Sequence, residues 1–200
     1  MIPTYNIDSS EVYIFKTAHH KNFKRDYKEP AWKIARATSA APSFFPVSAN
    51  IDNIRLIDGG VWANNPSMVG LFEAIAVLGI PIEDIRILSI GTTEELKSSL
   101  RVLNDFGGLL FWAKAIVGLV MQAQSVSISS QLKLLLKDNF VRINPKVPKG
   151  LFGLDKMNLG QLFAFASKYS REFSPIFTKL FQDYYADEFV PYINFKEDEI

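Results

Sequence analysis

Two short apolar runs, Asn53 to Ile57 (NIRLI) and Ile85 to Ile90 (IRILSI), each lead into a glycine turn, and a single helical stretch lies between them. Runs this short, rich in isoleucine and leucine, read as buried strands, and IRILSI has the nearly continuous apolar character of a parallel strand covered on both faces. Pro66 opens the intervening helix at a favoured first position. Met68, Val69, Leu71, Phe72, Ile75 and Leu78 then keep roughly helical spacing, and Gly79 ends it. Strand, helix and strand in this order bury their apolar faces by layering helices on a sheet, so the expected class is α/β with a mostly parallel central sheet.

The remaining elements fit around this unit. Val12 to Phe15 reads as a short strand. His19 to Pro30 is polar and basic and reads as a loop, and Ala31 to Ala41 reads as a helix stopped by Pro42. Phe106 to Leu136 reads as one or two helices, weakest at Gly107, Gly108 and Gly118. Phe140 to Ile143 is a further short strand ended by Pro145, and Lys146 to Gly153 reads as a Pro/Gly loop. Asn158 to Tyr185 reads as a closing helix pair broken near Pro175, and Lys196 to Ile200 as a charged, frayed end.

Composition removes several function classes. A chain of 200 residues with 48% hydrophobic content can bury a core. Lys plus Arg number 22 and Asp plus Glu 21, a net charge of +1 that exerts no long-range pull on nucleic acid. A membrane surface stays open, because apolar contacts supply that affinity. With no cysteine, a disulfide scaffold, a zinc–thiolate site and a cysteine nucleophile are excluded. The opening MIPTYNIDSSEVYIF lacks the basic and apolar regions of a signal peptide, and the expected location is cytoplasmic, with peripheral membrane contact left open. Phe106 to Met121 is shorter than the ~20 residues a spanning helix needs and has Lys114 in its middle.

The sharpest chemical feature is Asp58-Gly59-Gly60, followed by Ala63-Asn64-Asn65-Pro66, set between a buried strand and a helix. Sites in open α/β sheets gather at the carboxyl ends of strands. Backbone N–H groups of a glycine turn can hold a carboxylate there, and glycine permits positive φ and close approach of other backbone. Asn64 and Asn65 can order the next turn and cap the helix. Taken alone, Asp-Gly-Gly is also an ordinary turn.

Two further blocks accompany it: Ala35-Arg36-Ala37-Thr38-Ser39-Ala40-Ala41-Pro42-Ser43-Phe44-Phe45-Pro46 upstream, and Ile87-Leu88-Ser89-Ile90-Gly91-Thr92 downstream. In this order and spacing the three blocks resemble the C-terminal half of the patatin-like phospholipase family. Ile2-Pro3-Thr4-Tyr5 and Phe15-Lys16-Thr17 share the likeness, which covers about residues 1 to 95 and fades beyond. It implies a patatin-like layered fold, incomplete at the N-terminus, with residues 1-145 as the C-terminal part of the catalytic domain and 146-200 as a helical extension packed on it. It also implies a lipid acyl hydrolase that cleaves carboxylic esters of lipid or phospholipid with a Ser–Asp dyad and needs neither metal nor organic cofactor. Asp58 matches the dyad aspartate, which would accept or orient the serine proton. Gly59 and Gly60 would shape the turn that presents it.

The sequence departs from that pattern in one respect. It contains no Gly-x-Ser-x-Gly elbow and no Gly-rich oxyanion loop ahead of Asp58. Ile87-Leu88-Ser89-Ile90-Gly91 lacks the first glycine, and Ser67, Ser125 and Ser127 lack the flanking glycines. Both missing elements normally precede the point where this chain begins, so residue 1 is expected to fall inside the family's catalytic domain. A truncated product, half of a split enzyme and a degenerate homologue that binds lipid or a partner all fit. The partners left open are a homo-oligomeric copy or the missing N-terminal half.

Other candidates have plainer readings. His19 and His20 are expected as a solvated loop pair, since the resembled family uses no catalytic histidine. Arg36 is expected to pair with a carboxylate rather than bind a headgroup phosphate. Asp84, Glu94 and Glu95 read as solvated caps. Phe106 to Met121 reads as a buried core helix, with a lipid-facing lid as the alternative. The aromatic run Phe163, Phe165, Tyr169, Phe173 and Phe177 reads as core.

Overall fold

The computed structural model describes residues 1–95, 109–148, 151 and 158–193, and side chains there except those of 95 and 109–115. It is mixed α/β and divides into two compact units. Among the described residues no helix is long and apolar enough to cross a membrane.

The first unit comprises Met1–Pro81, Gly118–Ile128 and the segment from Asp187. Its sheet contains β1 (Ile2–Asn6), β2 (Glu11–Phe15), β3 (Ser48–Ile51) and β4 (Ile54–Asp58), in the order β2-β1-β4-β3. All three pairings are antiparallel. Asp52 and Asn53 join β3 to β4 with φ of 50° and 57°. Two successive positive φ values make the primed turn whose twist suits a tight hairpin, and Asp and Asn tolerate it better than most residues. Pro3 is compatible with the central strand β1 because β4 pairs with that strand only over Thr4, Tyr5 and Asn6. Helix α1 (Ala31–Thr38) turns Ile34 and Ala37 onto Phe15, Ile51 and Leu56, forming the core of this unit. Burying each large member of that cluster is worth roughly 1.5–3 kcal/mol.

After β4 come a single helical turn, α2 (Gly60–Ala63), and α3 (Ser67–Phe72), which runs on as a π turn over Glu73–Val77. Gly79, with φ +67°, closes the segment as expected.

The second unit comprises Ile82–Val117 and Ser129–Ala186. Here the pairing is parallel: β5 (Ile87–Ile90) with β7 (Phe140–Ile143), and β6 (Glu94–Glu95) with β8 (Lys146–Val147). Parallel strands require a long crossover, and α4 (Leu109–Leu136) lies in it, giving its middle, Gly118–Ile128, to the first unit. Parallel pairing therefore occurs as expected for IRILSI, while the larger sheet is antiparallel because its strands are joined in sequence by short turns or return beside β1. IRILSI is covered less than its composition suggests: Ile90 is exposed, and β7 is its sole strand partner among the described residues.

Two local expectations are corrected. Lys146 and Val147 are not loop, since they pair with β6. Pro175 does not break the last helix: α5 (Leu159–Phe177) passes through it and continues as a π turn over Thr178–Gln182. The carbonyls of Ser174 and Pro175 accept from the Thr178 N–H, so helical bonding resumes directly beyond the proline.

Candidate active site

Asp58 is the last residue of β4, opposite Thr4 of β1. Its N–H donates to the Ala40 carbonyl at 3.1 Å, which ties the strand end to the turn after α1. Its side chain is half-buried, and Oδ1 accepts the Gly60 N–H at 2.7 Å. Among the described residues no hydroxyl donates to this carboxylate and no cation lies within ion-pair distance, so Oδ2 is left for another group.

Gly59 is needed for space rather than for positive φ. Gly59 has φ −65°, an ordinary helical value. A Cβ on it would collide with the backbone carbonyl of Pro3. On Gly60 a Cβ would stand 3.1 Å from Asp58 Oδ1 and 3.0 Å from Met121 Cε.

The residues beyond Gly60 are fixed to α4. Gln124 Nε2 donates to the Trp62 carbonyl at 2.7 Å, and Asn64 Nδ2 to the Met121 carbonyl at 3.2 Å. Asn65 is 1% exposed. Its N–H donates to Gln124 Oε1 at 3.3 Å and its Nδ2 to the Ser125 carbonyl at 3.4 Å. Its Oδ1 accepts from the Ser67 N–H at 3.2 Å and from Ser67 Oγ at 2.6 Å, which orders the first turn of α3. On the other side, Trp62 Nε1 donates to the Thr4 carbonyl at 3.0 Å. All five sequence-selected residues, Asp58, Gly59, Gly60, Asn64 and Asn65, thus belong to one bonded segment. Trp62, Met121 and Gln124 support it without having been singled out. The Trp62 and Gln124 bond spans 62 positions, and no local pattern signals a contact of that range.

Of the serines that lack the elbow glycines, Ser67 and Ser89 have engaged hydroxyls. Ser67 donates to Asn65, and Ser89 accepts from Arg142 Nη1 at 2.8 Å. Ser125 serves Asn65 through its carbonyl, and Ser127 is exposed.

Five further expectations change. His19 is not a solvated loop residue: its Nε2 lies 2.9 Å from Glu73 Oε1 and its Nδ1 2.9 Å from Thr17 Oγ1. Lys16 Nζ reaches Glu73 Oε2 at 2.7 Å, so a carboxylate only 8% exposed holds two basic side chains. Burial pushes the Glu73 carboxyl up, but the hydrogen bonds and charges of Lys16 and His19 outweigh it and hold the group below the usual glutamate range. Arg36 is exposed, with no carboxylate at ion-pair distance among the described residues. Glu94 and Glu95 form β6 rather than a cap, whereas Asp84 closes an exposed single turn. Residues 106–108 and the side chains of 109–115 lie outside the described set, and Ile116, Val117 and Val120 are exposed rather than core. The α5 aromatics are likewise partly exposed, with Tyr169 stacked on Phe173 and Phe177 on Phe181. Among the described residues no cluster of His, Asp and Glu could hold a metal ion.

No family model matches the sequence. Among curated proteins, the cGAMP-activated phospholipase of Pseudomonas aeruginosa is 31% identical over 169 residues, 80% of this chain and 49% of the relative. The protein of the same name from Vibrio cholerae is 32% identical over 164 residues, 74% of this chain and 46% of the relative. Patatin-like protein 2 of Arabidopsis thaliana is 36% identical over 81 residues, 36% of this chain and 20% of the relative. The chain belongs to the patatin-like phospholipase family. It spans about half the length of the first two relatives. Its mixed α/β architecture accords with the patatin fold.

Proposed function

We propose that this chain supplies the aspartate of a Ser–Asp dyad to a phospholipase that hydrolyses carboxylic esters, and that it needs a second polypeptide segment for the nucleophile. The observation that carries this reading is Asp58 itself. It sits at a strand end, held by one backbone N–H, with the other carboxylate oxygen unengaged among the described residues. A serine placed against that oxygen would pass its proton to Asp58 while Oγ attacks the ester carbonyl. Asp58 would return that proton to the departing lyso-product oxygen, then take one from the water that cleaves the acyl-enzyme and hand it to serine Oγ. The serine elbow and the oxyanion donors would come from the other segment. The relatives' names extend the proposal to a phospholipase that responds to cGAMP once assembled. The expected setting is the cytoplasm, with peripheral contact to lipid.

The absence of the elbow favours a second reading, a non-catalytic module that binds lipid or a partner. One experiment separates the two. The chain is mixed with the part of a relative that carries Gly-x-Ser-x-Gly and the Gly-rich loop, and hydrolysis of a p-nitrophenyl ester is followed. Activity is expected only in the mixture, and Asp58→Asn should lower it by at least about 10²-fold. Retained hydrolysis in Asp58→Asn would remove this residue from the mechanism. A tight but inactive complex would establish the module.

A further inference from the structure

The first unit presents a pair of aromatic side chains to solvent just after α1. Phe44 and Phe45 are 63% and 56% exposed, and Val47 is exposed beside them. They lie in loop 41–47, bracketed by Pro42 and Pro46, with Ser43 at φ +71°. The N–H groups of Phe44 and Phe45 both donate to the Ala41 carbonyl, at 3.1 and 3.0 Å. The tip is therefore a turn in which the backbone donors of both phenylalanines are satisfied while their rings are exposed to solvent.

The approach to this tip has a matching character. Trp32, 61% exposed, and Arg36, also exposed, stand four residues apart on α1 and so share one face. Between Glu29 and Asp52 the charged residues are Lys33, whose Nζ lies 3.7 Å from Glu29 Oε2, and Arg36, which no carboxylate reaches among the described residues. Indole and phenyl rings partition to the boundary between headgroups and acyl chains, and an arginine without a carboxylate suits a lipid phosphate.

We propose that loop 41–47, together with the Trp32 and Arg36 face of α1, seats the first unit on an anionic lipid surface. Phe44 and Phe45 enter the acyl boundary and Arg36 meets headgroup phosphate. This deepens the phospholipase reading and rests on it for the purpose of the contact. The Ala40 carbonyl, one residue before the loop, accepts the Asp58 N–H, so seating the loop brings the strand end that carries Asp58 to the lipid. A guanidinium that meets no carboxylate among the described residues, on the same face as an exposed indole, favours anionic lipid over a protein partner as the occupant.

The test is co-sedimentation of the purified chain with phosphatidylcholine vesicles made with and without phosphatidylglycerol. The wild type should sediment with the anionic vesicles. Phe44→Ser/Phe45→Ser should lower the partition by at least about tenfold, and Arg36→Glu should weaken it on the anionic vesicles alone. The chain has no cysteine, so Ser43→Cys gives a single site for an environment-sensitive fluorophore that keeps both rings in place. Its emission should shift to the blue on adding anionic vesicles. No shift, or a double variant that binds as the wild type does, overturns the proposal. So does self-association that the double variant abolishes in the absence of any vesicle binding, which would assign the loop to a second copy of the chain. Binding is read without hydrolysis, and Asp58→Asn should bind as the wild type does. Loss of the lipid result therefore leaves the dyad reading standing, and an inactive complemented enzyme leaves the lipid result standing.

Discussion

Asp58, at the end of β4, and Glu73, at the start of the π turn after α3, belong to the same unit and meet opposite surroundings. Glu73 is buried, with Lys16 on one oxygen and His19 on the other, and Lys16 Nζ also lies 4.4 Å from the centre of the Phe23 ring. A carboxylate only accepts hydrogen bonds, so His19 carries its proton on Nε2 toward Glu73, and Thr17 stands at the other ring nitrogen. Asp58 accepts one backbone N–H and nothing else among the described residues. The difference separates a structural acid from a chemical one. With Lys16 and His19 on its two oxygens Glu73 is costly to remove and useless as a base, whereas sparse bonding leaves Asp58 free to take a proton.

The comparison breaks most readily at Glu73. Glu73→Gln keeps the shape and removes the charge, and should destabilise the chain by about 2 kcal/mol, the scale of a hydrogen bond to a charged group. The urea midpoint is the measurement, and a loss below about 0.5 kcal/mol would make the cluster energetically incidental. A second effect is its dependence on pH. Because the native Glu73 carboxyl is held low, its contribution is complete above the unfolded value of about 4.3 and fades as pH falls through the native value. The stability gap between wild type and Glu73→Gln should therefore narrow in acid, and a gap that is flat with pH would contradict the assignment. The smallest effect belongs to Asp58→Asn, whose side-chain oxygen can still accept the Gly60 N–H. Its stability should lie within about 0.5 kcal/mol of wild type. A larger loss would move Asp58 to the structural side of the comparison.

Much of this arrangement is written locally in the chain. The strands at Val12, Ile54, Ile87 and Phe140, the helix opened at Pro66 and its end at Gly79 follow from periodicity and turn chemistry. β1 and β3 do not. Pro3 argues against a strand unless one knows where β4 stops, and Ser48–Ile51 is too polar to stand out before its hairpin turn is recognised. At the site, Asp58, Gly59, Gly60, Asn64 and Asn65 are legible as a motif, while Gln124 and Met121 arrive from a distant helix. His19 looked solvated because its loop is basic. The sign to weigh was the lone Glu73 within an apolar helix, since a buried charge requires partners. The α5 aromatics show the opposite error, because helical spacing identifies a face but not what covers it.

The bonds that position Asp58 also set an order of assembly. The β1 and β2 hairpin closes a short loop and can form early. Asp58 takes its place only when β4 has crossed to β1, Ala40 has met its N–H, and Gln124 has reached Trp62 from 62 positions away. Each of those closures costs chain entropy before it returns any contact. The acid proposed for catalysis is thus held by contacts of long sequence separation, and a ligand that engages it would add its binding energy to those closures.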